Sequence, residues 1–417
     1  MLDKLLQTII YIAFIFVDLY IYLRIFYREK LFNKSLINNI SFNKYYVLLN
    51  DEKHSVTELG DKNADSNNTL ILIGGIPSDP TESMMWLAKE LYYLNPSLRI
   101  IILHMPYYEN HFKISPSHLY SKNDGLSIFH NSINLKSTKI DPRFSHINQS
   151  KTVDLILEKL SINKAHLIGH DRGAVILENL CMYNPSRVLS YSRAAQLWNY
   201  LDPEWEKLAP AICVGPPHSM MAIRHQFRVL FLMIMFGSKP LHLLSESFKN
   251  NAIKSKKGSD LYDRYTHLKY KTQVAYKKFY YKFQQSILQG GVKQEVDARV
   301  GLMKLSIPIM QFQGQDEFKK TKSGDYISDQ PYFGVYNLFR NEIEDIYPGC
   351  VFQDESEYKS EFVTKKEHYS EVKLKKDARF SRFCLIPDSA HFNVIENPES
   401  CAHAINDFIN SINSNNI

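Results

Sequence analysis

Residues 166–177, HLIGHDRGAVIL, constrain the fold more than any other stretch of this chain. An apolar run ends at Gly169, three residues follow, and Gly173 opens a second apolar run. Apolar residues that continue without alternation suit a strand buried on both faces of a parallel sheet. A strand that turns into a helix within so few residues makes a strained corner, which tolerates only the smallest neighbours. The middle side chain, Asp171, is thereby thrust above the sheet, at a helix amino terminus that favours negative charge. A single G-x-D-x-G is shared with ordinary helix caps. Two later turns give it meaning.

The rest of the chain repeats the alternation. Residues 69–73, TLILI, read as a buried strand running into Gly74-Gly75-Ile76-Pro77, with a helical stretch at 83–94. Residues 99–103, RIIIL, give the next strand, and 113–142 read as an inserted loop. A helix is expected at 150–160, a strand at 164–168, a helix at 174–183 closed by Asn184-Pro185, and a strand at 187–194. The pattern then stops. It resumes at 307–312, IPIMQF, which leads to Gly314-Gln315-Asp316, and ends with a strand at 380–386 followed by Pro387-Asp388-Ser389-Ala390-His391. Strands alternating with helices predict an α/β fold, a mostly parallel sheet flanked by helices. In such sheets chemistry gathers beyond the carboxyl ends of the strands. The expected divisions are an N-terminal hydrophobic helix and linker (1–45), a first core part (46–200), a helical cap (201–297), and a second core part (298–417) with a polar insertion at about 319–379.

Residues 5–23, LLQTIIYIAFIFVDLYIYL, approach the ~20 residues a bilayer-spanning helix needs. Tyr20, Tyr22 and Tyr27, with Arg24, Arg28 and Lys30, suit the interface, and the basic flank places the remainder on the cytoplasmic side. Asp18 lies toward the end of the run, within reach of that interface. The competing expectation is an amphipathic helix lying on a membrane or on the fold. The net charge of +6 is small for 417 residues and accompanies no nucleic-acid motif, so the expected partners are membrane lipid and a small apolar organic substrate. The five scattered cysteines form no CxxC pair and suit reduced thiols. No HExxH occurs, and the only histidines four apart, His166 and His170, fall on a strand and its turn, so neither a metal nor a cofactor is expected.

Asp171, Asp316 and His391 each follow a strand, in the order nucleophile, acid, histidine. With these turns the sequence resembles the α/β-hydrolases of the epoxide hydrolase and haloalkane/fluoroacetate dehalogenase group. GHDRG matches their elbow, GGIP stands where they carry an H-G-x-P type turn, and DSAHFNVIENPE matches the segment around their histidine. The resemblance covers roughly 68–200, 300–317 and 380–412. It implies Asp171 as nucleophile, His391 as base and Asp316 as the acid that orients it, with Glu317 the spare acid. The backbone N–H groups of Ile76 and Arg172 are the expected oxyanion hole.

An aspartate nucleophile selects its reaction. With an ordinary pKa near ~3.9 it is ionised without a base. Attack on an sp³ carbon bearing a good leaving group gives an ordinary ester, whereas attack on an acyl carbon gives a reactive anhydride. An epoxide or a carbon–halogen bond supplies the first kind of carbon. Departures from the group matter here. Gly74 replaces its usual histidine, and Arg172 and Ile76 stand where haloalkane dehalogenases hold halide with Trp and Asn. Arg after the nucleophile belongs to the fluoroacetate branch, and Pro77 is shared with epoxide hydrolases. Epoxide opening in this group uses two cap tyrosines. Of the six tyrosines between Asp260 and Phe283, Tyr265 and Tyr276 are chosen, and Trp198 is a candidate pocket residue. Three functions stay open: an epoxide hydrolase, a haloacid dehalogenase, and a non-catalytic membrane-tethered binding protein on the same scaffold.

Overall fold

The computed structural model describes residues 40–75, 80–109, 142–194, 306–315, 363–372 and 382–415, together with Ile12, Phe16, Leu19 and Leu23. Among the described residues, ten strands form one sheet in the order β1-β2-β4-β3-β5-β6-β7-β10-β9-β8. Strands β1 (Asn43–Leu49) and β2 (Glu52–Gly60) make a hairpin around Asn50 and Asp51. Both turn residues have positive φ, as a two-residue turn matched to strand twist requires. β2 then pairs antiparallel with β4 (Arg99–Leu103).

The centre of the sheet is parallel: β4, β3 (Thr69–Ile73), β5 (Ala165–His170), β6 (Val188–Ala194), β7 (Ile309–Gly314) and β10 (Arg382–Ile386). A short hairpin, β8 (Val363–Lys365) and β9 (Ser370–Val372), adds antiparallel to β10. This hairpin lies within the segment read from sequence as a polar insertion.

Two apolar layers sandwich the sheet. Along β3, Ile71 and Ile73 face a layer that includes Val153 and Ile156 of α2 (His146–Lys159) and Ile176 and Leu180 of α3 (Arg172–Tyr183). Leu70 and Leu72 face the other, which includes Met84 and Leu87 of α1 (Pro80–Leu94) and Ile405 and Phe408 of α5 (Pro398–Asn415). The two-residue period of the pleat sends alternate side chains to opposite layers. Because both faces are covered, the central strands are apolar throughout. Burying a side chain such as Leu or Ile stabilises by about 1.5–3 kcal/mol, so the paired layers fix the strand ends against which the turns are built.

Among the described residues no helix is long and apolar enough to cross a membrane. Most of 5–23, where the spanning helix is expected, lies outside them. Ile12, Phe16, Leu19 and Leu23 are helical and exposed. Their spacing puts them along one helix face.

Candidate active site

Strand β5 delivers Asp171 to the sheet's carboxyl edge. Its backbone sits at φ 53 and ψ −124, and its side chain is fully buried. A non-glycine residue held in so sparsely populated a region costs about 1–3 kcal/mol, which the surroundings must supply. Two backbone bonds help fix it. The Asp171 N–H donates to the Ala194 carbonyl at the end of β6 at 3.1 Å, and the Ala174 N–H donates to the Asp171 carbonyl at 3.1 Å.

The elbow leaves no room for side chains beside it. A Cβ on Gly169 would press into the Ala174 backbone, and one on Gly173 would collide with the carbonyls of Ile73 and Gly74. A Cβ on Gly75 would overlap the Asp171 carboxylate itself. The turn after β3 is therefore packed directly on the functional group.

His391 follows the end of β10. β10 pairs with β7 in parallel, Ile386 opposite Gly314, so the two strands end side by side. The chain after β10 turns at Asp388, which has φ 51. Several side-chain bonds set this turn. Ser389 Oγ donates to the Ile386 carbonyl at 2.9 Å, and the Ala390 N–H donates to Glu396 Oε2 at 2.8 Å. The Asn397 amide donates to the Pro387 carbonyl at 3.0 Å, and Asn393 donates to the Phe312 carbonyl at 3.3 Å. Glu396 and Asn393 belong to α4 (Asn393–Glu396). A Cβ at Gly314 would strike the Ser389 and Ala390 carbonyls, so the end of β7 touches the chain just before His391.

The elbow and the histidine turn meet through His170. Its Nε2 donates to the His391 carbonyl at 2.7 Å, and the two rings lie 5.4 Å apart between centroids. Since the carbonyl only accepts, the His170 proton sits on Nε2. Burial first, and then neighbouring His391, push the His170 pKa down to about 3. Burial does the same to His391. Both rings are neutral at ordinary pH, and a neutral His391 is in the state that accepts a proton.

Arg172, the first residue of α3, is buried, and its Nη1 donates to His146 Nε2 at 3.0 Å. An arginine always donates, so His146 must accept through Nε2 and carry its proton on Nδ1. Behind the elbow helix, Glu178 of α3 pairs with Arg193 of β6 at 3.2 Å, both almost wholly buried. The Tyr191 hydroxyl donates to the Ala174 carbonyl at 2.8 Å. These bonds lock α3 to the strand beneath it.

The structure thus brings Asp171, Arg172 and His391 to one end of the sheet. Asp316, Glu317, Ile76, Trp198, Tyr265 and Tyr276 lie outside the described residues. Sequence reasoning missed His170 and His146 as organisers. His170 stands inside the elbow motif, where its position alone was a signal. His146 is separated from Arg172 by a helix and a strand, and nothing in its local sequence marks it.

No protein-family model matches the sequence, and neither does any curated relative. Solved structures do. A loop variant of a haloalkane dehalogenase from Bradyrhizobium elkanii superposes with a TM-score of 0.50 at 12% identity, covering 90% of this chain and 99% of that one. An epoxide hydrolase from Vigna radiata gives 0.47 at 14% identity, with 89% and 98% covered. A membrane phospholipase A gives 0.48 at 14% identity, with 99% of each chain covered. The first match, with the strand order above, defines the class: an α/β-hydrolase fold. At that identity it defines the fold alone.

Proposed function

We propose that this protein is a membrane-anchored hydrolase that opens an epoxide through an ester on Asp171. The observation that carries the reading is a buried aspartate at positive φ on a strand–helix elbow, joined through His170 to the turn bearing His391. An Asp171 carboxylate oxygen attacks an sp³ ring carbon, the carbon–oxygen bond breaks, and the alkoxide takes a proton from a cap tyrosine, Tyr265 or Tyr276. His391 then removes a proton from water, which adds to the ester carbonyl. The N–H groups of Ile76 and Arg172 receive the negative oxygen. Collapse breaks the ester carbon–oxygen bond, the departing alkoxide takes the proton held by His391 and leaves as the diol, and the Asp171 carboxyl proton returns to the tyrosinate, restoring both groups. Burial weakens His391 as a proton acceptor, and the acid member, Asp316, compensates by stabilising the imidazolium formed in this step. Trp198 lines the pocket in this reading.

The buried Arg172 favours a second reading, a haloacid dehalogenase. There the guanidinium pairs with the substrate carboxylate, and halide leaves as Asp171 attacks carbon. The ester is then hydrolysed in the same way. Membrane attachment is part of the proposal in either case, through a single-pass helix at 5–23 with the catalytic domain on the cytoplasmic side. The exposed apolar face of Ile12, Phe16, Leu19 and Leu23 supports it.

The test is to trap the ester. The purified protein is screened against epoxide and haloacid panels, with diol and halide measured separately. With a turned-over substrate in hand, His391→Gln is expected to stall after the first step. The peptide holding residues 169–173 then gains the mass of the substrate. Asp171→Ala gives no adduct. An adduct elsewhere, or full turnover by Asp171→Ala, removes the nucleophile assignment. No turnover across both panels favours the binding-protein alternative.

A further inference from the structure

The hairpin β8–β9 turns through His368 and rests on α5, whose first turns carry Glu399 and His403. One ligand atom from each of these three side chains lies within 4.8 Å of the other two. The rings of His368 and His403 stack, with centroids 3.6 Å apart and planes 9° from parallel. His368 and His403 are half-buried and Glu399 is exposed.

We propose that His368, Glu399 and His403 bind a divalent transition-metal ion, zinc by preference of chemistry, that clamps the β8–β9 turn to α5. Glu399 and His403 are four residues apart on one helix, so both side chains leave the same face. The third donor comes from a separate element held in place independently. The buried Tyr369, next to His368, donates its hydroxyl to Asp407 of α5 at 2.9 Å. The turn and the helix are therefore already joined beside the donors, and little ordering is left for the ion to impose.

Two imidazoles and one carboxylate suit zinc, cobalt, nickel or copper. Magnesium and calcium prefer all-oxygen shells. In a tetrahedral site, with metal–nitrogen bonds of ~2.0–2.1 Å, neighbouring donors stand about 3.3 Å apart. The donor atoms, within 4.8 Å of one another, have to draw together and reorient to reach it. The stacked rings must open about their Cβ–Cγ bonds, since parallel rings cannot both aim a lone pair at one point. Half-exposed rings have that freedom. Three protein donors leave a fourth position for water. Metal-bound histidines commonly donate their second ring N–H to a carboxylate. Asp407 and Glu367 are carboxylates whose charge acts on His403.

Neither histidine spacing nor the HExxH pattern marks this group in the sequence. A glutamate four residues before a histidine, completed by a residue from another element, gives no linear motif.

The experiment uses the full chain, stripped with chelator and titrated with zinc chloride by calorimetry. Cobalt is titrated in parallel, because its visible absorption reports a tetrahedral nitrogen–oxygen site. One zinc per chain is expected, with a rise in the thermal midpoint on zinc addition. His368→Ala and His403→Ala are each expected to weaken binding at least about tenfold and to remove the midpoint rise. Glu399→Gln, at an exposed position, repeats the test without touching the ring stack. Circular dichroism confirms that each variant is folded. The proposal is overturned if the parent chain takes up no zinc, or if the double His368→Ala/His403→Ala variant binds as tightly as the parent.

Discussion

The Glu178–Arg193 pair offers the sharpest test of how the elbow is held. The two charges are 3.2 Å apart and about 99% or more removed from solvent. At an effective dielectric of ~20 their attraction is about 5 kcal/mol, offset in part by the cost of taking both from water. Glu178→Gln keeps the size, and it keeps an oxygen to accept the 3.3 Å bond from the Tyr191 hydroxyl. What it removes is the negative charge. Arg193 is then a buried cation facing a neutral amide, and breaking such a pair costs about 3–5 kcal/mol. For a chain of 417 residues that lowers the thermal midpoint by roughly 3–6 °C. Urea unfolding followed by circular dichroism gives the free energy directly. The double variant Glu178→Gln/Arg193→Met deletes the stranded charge, and it is expected to be more stable than Glu178→Gln alone by about 2 kcal/mol or more. If Glu178→Gln stays within about 1 kcal/mol of the parent, or the double variant gains nothing, charge compensation is not what fixes α3 on β6.

Gly75→Ala places a methyl where the Asp171 carboxylate sits. In the proposed reaction, displacing the attacking carboxylate by about 1 Å costs roughly a hundredfold in rate, so single-turnover kinetics are expected to show that loss in a folded protein. The buried histidines set an acid limit. His166 is pushed down to about 4 and His170 to about 3, burial being the leading cause for both. Unfolded, each titrates near ~6.5, so below that pH the unfolded state binds more protons and stability falls as pH falls. The expected slope is up to about 1.4 kcal/mol per pH unit per histidine between roughly pH 6 and 4. Urea unfolding of His166→Gln over that range should show a shallower slope than the parent, and an unchanged slope refutes the assignment. Deleting the residues before Phe32 is expected to release the protein from membranes. A full-length chain that stays soluble after a salt wash contradicts the anchor.

The parallel centre of the sheet was legible because strands buried on both faces need continuous apolar runs. TLILI and RIIIL coincide with β3 and β4 to the residue. The ends of β5 and β7 run on to His170 and Gly314, past the last aliphatic side chain, because pairing with β6 and β10 continues where hydropathy does not. Strands β1, β2, β8 and β9 were not read. They lie toward the sheet's margins with polar residues interspersed, as in EKHSVTELG, and their pairing rather than their composition defines them. At the site, the glycines and Asp171 were legible because a corner this tight admits few residue types. His170 bonded to the His391 carbonyl was not, since that contact depends on how two distant turns meet. The proximity of His368, Glu399 and His403 was invisible for the same reason.

The chain leaves the sheet at Ala194 and re-enters beside it at Ile309. Closing a flexible loop becomes costlier only with the logarithm of its length, about 0.6 kcal/mol for each doubling. That is less than the burial of a single methylene pair in the layers flanking the sheet. Were a connection between two such neighbouring strands flexible, lengthening it would change equilibrium stability little. The burden falls on kinetics. Contacts between residues so far apart in sequence form slowly, so the half of the sheet that carries the Asp171 elbow can assemble before the half that carries His391, and the two groups come together only when that connection closes.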